Sequence, residues 1–125
     1  MPVAFDYAVI RVVPRVEREE FLNVGVAIFC PDRESLAARF ELIGSRLEAF
    51  APSLDVDLVR EHLDAFVRAC AGEGPLGELP IRERWHWLVA PRSTIIQTSA
   101  AHAGLCEMPT RTMDSLLDRY VRLLA

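Results

Sequence analysis

Apolar and polar positions alternate with two different periods along this chain, and the change of period marks out its elements. From Tyr7 to Val13 the residues are β-branched, aromatic or small, with Arg11 the only charge, and Pro14 ends the run. That composition predicts a strand. Phe21 to Cys30 (F-L-N-V-G-V-A-I-F-C) is a second and more continuous apolar run, which reads as a buried strand. The intervening Arg15–Glu20 is charged and aperiodic, as a solvated turn should be. Pro31 to Glu34 supplies turn chemistry, with proline preset for the first central position. Leu36, Ala38, Phe40 and Leu42 then alternate with Ala37, Arg39 and Glu41, giving a third strand over Leu36–Leu42. Three strands on short links predict an antiparallel meander with one buried face.

Beyond Gly44, which is read as the end of the third strand, the period changes to that of a helix. Ser45 with Glu48 forms a capping-box pattern opening a short helix through Phe50, closed by Pro52. Asp55 or Ser53 caps a longer helix whose stripe is Leu58, Val59, Leu63, Phe66, Val67 and Cys70. Gly72 ends it, and Gly72–Gly77 reads as a loop. Ile81–Ala90 fits both periods: Pro80 suits a helix start, while Trp85, Trp87 and Val89 alternate as in a strand. A short helix is the reading adopted. Thr94–Ser99 predicts a fourth strand, and a last helix starts near Thr110 or Thr112 with a stripe from Met113 to Leu124. The expected fold class is α+β: one domain over residues 1–125, an antiparallel meander sheet of about four strands with helices packed on one face.

Composition narrows the chemistry. All 14 basic residues are arginine, so neither a Schiff-base lysine nor a P-loop lysine is available. The net charge is −4, and the excess of acid lies in the first half: 7 Arg against 11 acids over residues 1–62, then 7 against 7. Non-specific binding to nucleic acid or to an anionic membrane is disfavoured by that balance. Cys30, Cys70 and Cys106 are odd in number and widely spaced. A disulfide framework or zinc ribbon does not fit them, and a reducing compartment does. No basic leader and no apolar stretch of about 20 residues is read, so the expectation is a cytoplasmic protein without a membrane span.

Several residue groups invite a functional reading. Asn23 and Gly25 interrupt an apolar strand, either as a bulge held by the Asn amide or as a ligand-facing amide. Pro91-Arg92-Ser93-Thr94 with Gln97 is the densest polar group of the second half, in a stretch from Arg84 to Cys106 without a single carboxylate. Arg92 either pairs with an acid of the first half or offers its planar fork to an anion, with Ser93, Thr94, Gln97, Asn23 and His86 as companions. His86, His102 and Cys106 are the only metal-like set, too few for a zinc site, so no metal or cofactor is expected. Cys106 beside His102 or His86 is the one nucleophile pairing on offer. Arg82, Arg84, Trp85 and Trp87 interleave charge with aromatics, which suits base stacking on single-stranded nucleic acid or, with the charge opposed to nucleic acid, a core or a protein-binding surface. Trp85, Trp87 and Arg84 are the candidate partner-binding residues.

Y-A-V-I-R-V-V-P, E-F-L-N-V-G-V-A-I-F-C-P and R-W-H-W-L-V-A-P-R-S-T-I-I-Q-T-S, in this order and spacing, resemble the bacterial family called domain of unknown function 3037, from Tyr7 to about Leu124. The resemblance implies a fold and a kinship, and it assigns no catalytic residue. It also implies companionship with serine/threonine kinases of the HipA type. The resulting expectation is a non-catalytic regulatory or protein-interaction module, with such a kinase or a second copy of the chain as partner. The alternative is an enzyme or an anion- or nucleotide-binding domain using the Arg92 segment.

Overall fold

The computed structural model describes residues 1–92 and 94–122; Ser93 and Leu124 lie outside the described residues. The chain runs β1 (Val3–Val12), β2 (Leu22–Cys30), β3 (Ser35–Phe40), α1 (Gly44–Phe50), α2 (Val56–Cys70), α3 (Gly74–Gly77), α4 (Ile81–Leu88), β4 (Ile96–Thr98), β5 (His102–Cys106) and α5 (Pro109–Leu117). A π-helical turn, Asp118–Arg122, continues α5. Among the described residues no helix is long and apolar enough to cross a membrane.

The first three strands pair antiparallel in chain order, as their apolar runs predict. The fold is α+β, with a sheet ordered β3-β2-β1-β4 and β5 also on β1. β4 and β5 lie end to end along the same side of β1: Ile96–Thr98 pairs with Val12–Ile10, and His102–Cys106 with Tyr7–Val3. β1 accordingly begins at Val3 rather than Tyr7, because β5 gives its first residues a partner.

Helices cover both faces of the sheet, where one was expected. β2 is the reason. Val24 to Cys30 is buried at every position, so each face presents an apolar row that needs cover. Ala27 and Phe29 join Val59 and Leu63 of α2 and Trp85 of α4 in one cluster. Val26, Ile28 and Cys30 join Met113, Leu116 and Leu117 of α5 in the other. Gly25 lies where this strand changes face. The register with β1 slips between Ile10 and Arg11, which face Gly25 and Asn23. Val24 is therefore the extra residue of a β-bulge. Beyond it Val24 and Leu22 belong to the α2-side core with Ala27 and Phe29.

Helix ends depart from the sequence reading in two places. The Ser45–Glu48 capping box does not form: α1 starts at Gly44, and the Ile43 carbonyl accepts from both Arg46 N and Leu47 N at 3.0 Å. Ser45 is thus inside the first turn. Gly74–Gly77, read as loop, is one helical turn with Pro75 near its start. Elsewhere the expected punctuation holds. Asp55 caps α2, its Oδ1 accepting from Leu58 N at 3.2 Å, and Gly72 follows α2 with φ +89°.

Candidate functional site

The polar segment after α4 sits at the mouth of a recess. Val13 N donates to Ile95 O at 2.7 Å, which brings the chain back onto β1 and lays β4 opposite α2. Between them lies a cavity of about 240 Å³. Phe66 and Ala69 of α2, Leu76, Leu88 and Ile96 give it an apolar wall, Arg92, Thr94 and His62 give it polar groups, and Gln97 and Thr98 of β4 border it. Among the described residues no carboxylate lines it.

Arg92 is held by the end of α4. Its guanidinium donates to the carbonyl oxygens of Trp87 and, at 3.4 Å, of Ala90, and stands 5.4 Å from the centre of the Trp87 ring. Trp87 is in the last turn of α4 and Ala90 lies two residues beyond it, so the guanidinium ties the chain to the end of this helix. Among the described residues Arg92 has no carboxylate within 4.0 Å, so the expected ion pair with the acidic first half is not made. Thr94 Oγ1 donates to Ile96 O at 2.7 Å, and Gln97 Nε2 donates to Thr94 O at 2.9 Å. The turn is thereby stitched to itself. Thr98 Oγ1 is buried and has no hydrogen-bond partner among the described residues.

The other sequence candidates are not brought here. Asn23 faces the α5 side, where its Nδ2 donates to Tyr120 O at 3.3 Å and its Oδ1 is buried without a partner. His86 is exposed on α4 and does not line the recess. Trp85 is 2% exposed and stacks on Phe29 at 5.7 Å between ring centres. Arg84 closes the end of α2, donating from its guanidinium to Cys70 O at 2.8 Å, and it also donates to Leu79 O at 3.0 Å. Trp87 alone of the three stays at the surface, 52% exposed. The interleaved arginines and tryptophans therefore do not form one stacking surface.

Cysteine and metal chemistry find little support in the geometry. All three cysteines are free and buried. Burial pushes the Cys70 thiol up to about 12 and raises that of Cys30, which holds both in the inert protonated form at neutral pH. Cys106 lies in the α5-side cluster and makes no hydrogen bond to a histidine among the described residues. His102 is exposed, its ring 5.3 Å from that of Tyr7. No group of three or more His, Cys, Asp or Glu among the described residues could hold a metal ion.

Sequence reasoning missed Arg11 and the Tyr7–Tyr120 pair on the α5 side. Arg11 of β1 is in register with Asn23 on one flank and Gln97 on the other. Its guanidinium lies 3.9 Å over the Phe21 ring, its Nε is buried without a partner, and burial lowers its pKa. Farther along this face Tyr7 and Tyr120 share a hydroxyl hydrogen bond of 2.9 Å, which raises the Tyr7 pKa. The lone charge within the apolar run Tyr7–Val13 was the available signal.

An antiparallel sheet between two unequal helical layers, with a small mixed recess on one face, defines an α+β fold. The chain belongs to the family described as "Protein of unknown function (DUF3037)", whose model matches residues 7–121. No curated protein and no solved structure matches the chain.

Proposed function

We propose that this protein is a non-catalytic module that binds a protein partner by accepting a strand along the outer edge of β5. One observation carries the reading. Among the described residues β5 pairs with β1 only, and its sequence H-A-G-L-C holds none of the charges or prolines that blunt an edge. Leu105 on that strand is 73% exposed, and Met108 just after it 51%. The opposite edge differs: Arg39 of β3 is exposed and pairs with Asp114 at 2.9 Å. An open edge offers main-chain hydrogen bonds for affinity, and an exposed apolar side chain gives the incoming strand its register. The three free cysteines support a reducing, cytoplasmic setting.

The partner implied by the family resemblance is a HipA-type kinase, and a homodimer through two β5 edges is the alternative. The test is titration calorimetry of the chain against such a kinase from the same organism, with sedimentation of the chain alone. Leu105→Lys places a charge on the edge at a position already in solvent, so its melting temperature should match that of the parent. Kinase binding should weaken by at least about tenfold, or about 1.4 kcal/mol. Kinase binding that Leu105→Lys leaves unchanged overturns the reading, as does a chain that binds no kinase and sediments as a monomer.

A second reading, a ligand-binding domain or an enzyme using the Arg92 segment, has its own observation. Arg92 keeps an unneutralised charge at the edge of a recess that Thr94 and Gln97 also line.

A further inference from the structure

We infer that the recess between α2 and β4 binds a small organic acid, a carboxylate carried on an apolar body the size of one ring or one branched chain. The inference rests on the ligand-binding reading of the Arg92 segment and names the ligand class. Charge sets the sign. The chain carries 18 carboxylates and a net charge of −4, yet among the described residues none of those carboxylates lines the recess, where Arg92 is the one permanently charged side chain. An arginine without a carboxylate, beside a low-dielectric apolar wall, favours an anion.

Arg92 is also preorganised. The Trp87 and Ala90 carbonyls engage its Nε and one terminal nitrogen, so little side-chain freedom remains to be lost on binding. The second terminal nitrogen has no hydrogen-bond partner among the described residues and supplies the contact to the carboxylate. Apolar walls from Phe66, Leu76, Leu88 and Ile96 dictate the body of the ligand. Size closes the argument. The volume of about 240 Å³ lies below the ~300–1,000 Å³ usual for drug-sized ligands, which matches a body of one ring or one branched chain.

The test is an amide NMR titration with three probes: phenylacetate, its neutral isostere phenylacetamide, and inorganic phosphate. Phenylacetate should give saturable shifts at residues 65–69 and 95–98. Phenylacetamide should bind at least about tenfold more weakly, and phosphate should not shift the apolar wall. Arg92→Gln should weaken phenylacetate to the level of the amide. Because Arg92 also ties down α4, Ala65→Phe is the second variant. Ala65 is an exposed residue of α2 on the recess wall, and a ring there fills the space without touching Arg92. It should abolish the shifts while the thermal melt stays unchanged. Equal binding of amide and acid, or phosphate binding at Arg92 with no shift on the wall, overturns the organic-acid assignment while leaving a ligand site. Absence of saturable shifts with all three probes overturns both.

Discussion

Replacing Gly25 tests the bulge and the packing behind it together. A Cβ at this position would lie 2.5 Å from the Arg39 carbonyl oxygen and 3.0 Å from Phe40 Cβ. The closest ordinary C–H···O contacts are about 3.3–3.6 Å, so β3 has to retreat by about 0.8 Å. The obstacle is backbone, and Gly25 faces Phe40 in the β2–β3 ladder, so no side-chain rotation relieves it. Over-packing of this kind costs about 1–3 kcal/mol, and loosening one adjacent ladder bond adds about 1 kcal/mol. Restricting the unfolded chain returns about 0.4–1 kcal/mol. Gly25→Ala should therefore destabilise by about 1–3.5 kcal/mol, and Gly25→Val by more, because its two γ-methyls crowd the same gap. In thermal melts by circular dichroism this is a loss of about 5–15 °C for a chain of this size. In urea the midpoint should fall at constant slope. Gly44→Ala is the control, since a Cβ there meets nothing within 4 Å, and it should be neutral or slightly stabilising. An unchanged midpoint for Gly25→Ala, or an equal loss at Gly44, refutes the reasoning.

Glu34 ends the turn before β3 at φ 49°, a left-handed conformation that costs a non-glycine residue about 1–2 kcal/mol. Glu34→Gly should stabilise by about 0.5–1 kcal/mol after its greater unfolded-state entropy is counted, and a lower urea midpoint would contradict this. Hydrogen bonding to Arg122 holds the Glu41 carboxyl below its ordinary 4.5. Its contribution to stability is therefore complete above that value and is lost as the pH falls through the depressed folded-state value. The stability difference between the parent and Glu41→Gln should shrink on acidification, and a difference independent of pH would exclude the mechanism. Finally, Cys30, Cys70 and Cys106, all buried, should resist a thiol reagent in the native protein and react together on unfolding; rapid reaction of any one of them in buffer would show that its site opens locally.

Strands and the long helix were legible because their patterns are local. The run Phe21–Cys30, the alternation from Leu36 and the stripe of α2 each identify an element without reference to the rest. β5 was not legible. His102, Ala103 and Gly104 carry almost no strand preference, and the segment is a strand because Val3–Tyr7 offers an open edge for it. The second helical layer was hidden in the same way, since only the uninterrupted burial of β2 requires it. At the candidate recess, the Arg92–Gln97 segment stood out by its polarity and lack of carboxylates. Its opposite wall comes from α2, where Phe66 looks like any core residue. Asn23 was correctly suspected of marking a bulge, but the bulge itself turns it to the face away from Arg92, and no local pattern announces that.

The position of β1 inside the sheet also sets the order in which the protein can be completed. Its first residue pairs with Cys106 and its last with Ile96. During synthesis β1, β2 and β3 emerge first and can pair, but the far side of β1 waits until residues 96–106 have left the ribosome. Closing contacts between segments roughly 100 residues apart in the sequence is slow compared with helix formation. Until then, the nascent protein exposes the strand that later becomes its most interior. β4 and β5 therefore act as the latch of the folding reaction, and the interval before they arrive is when the chain is most open to chaperones, proteases and aggregation.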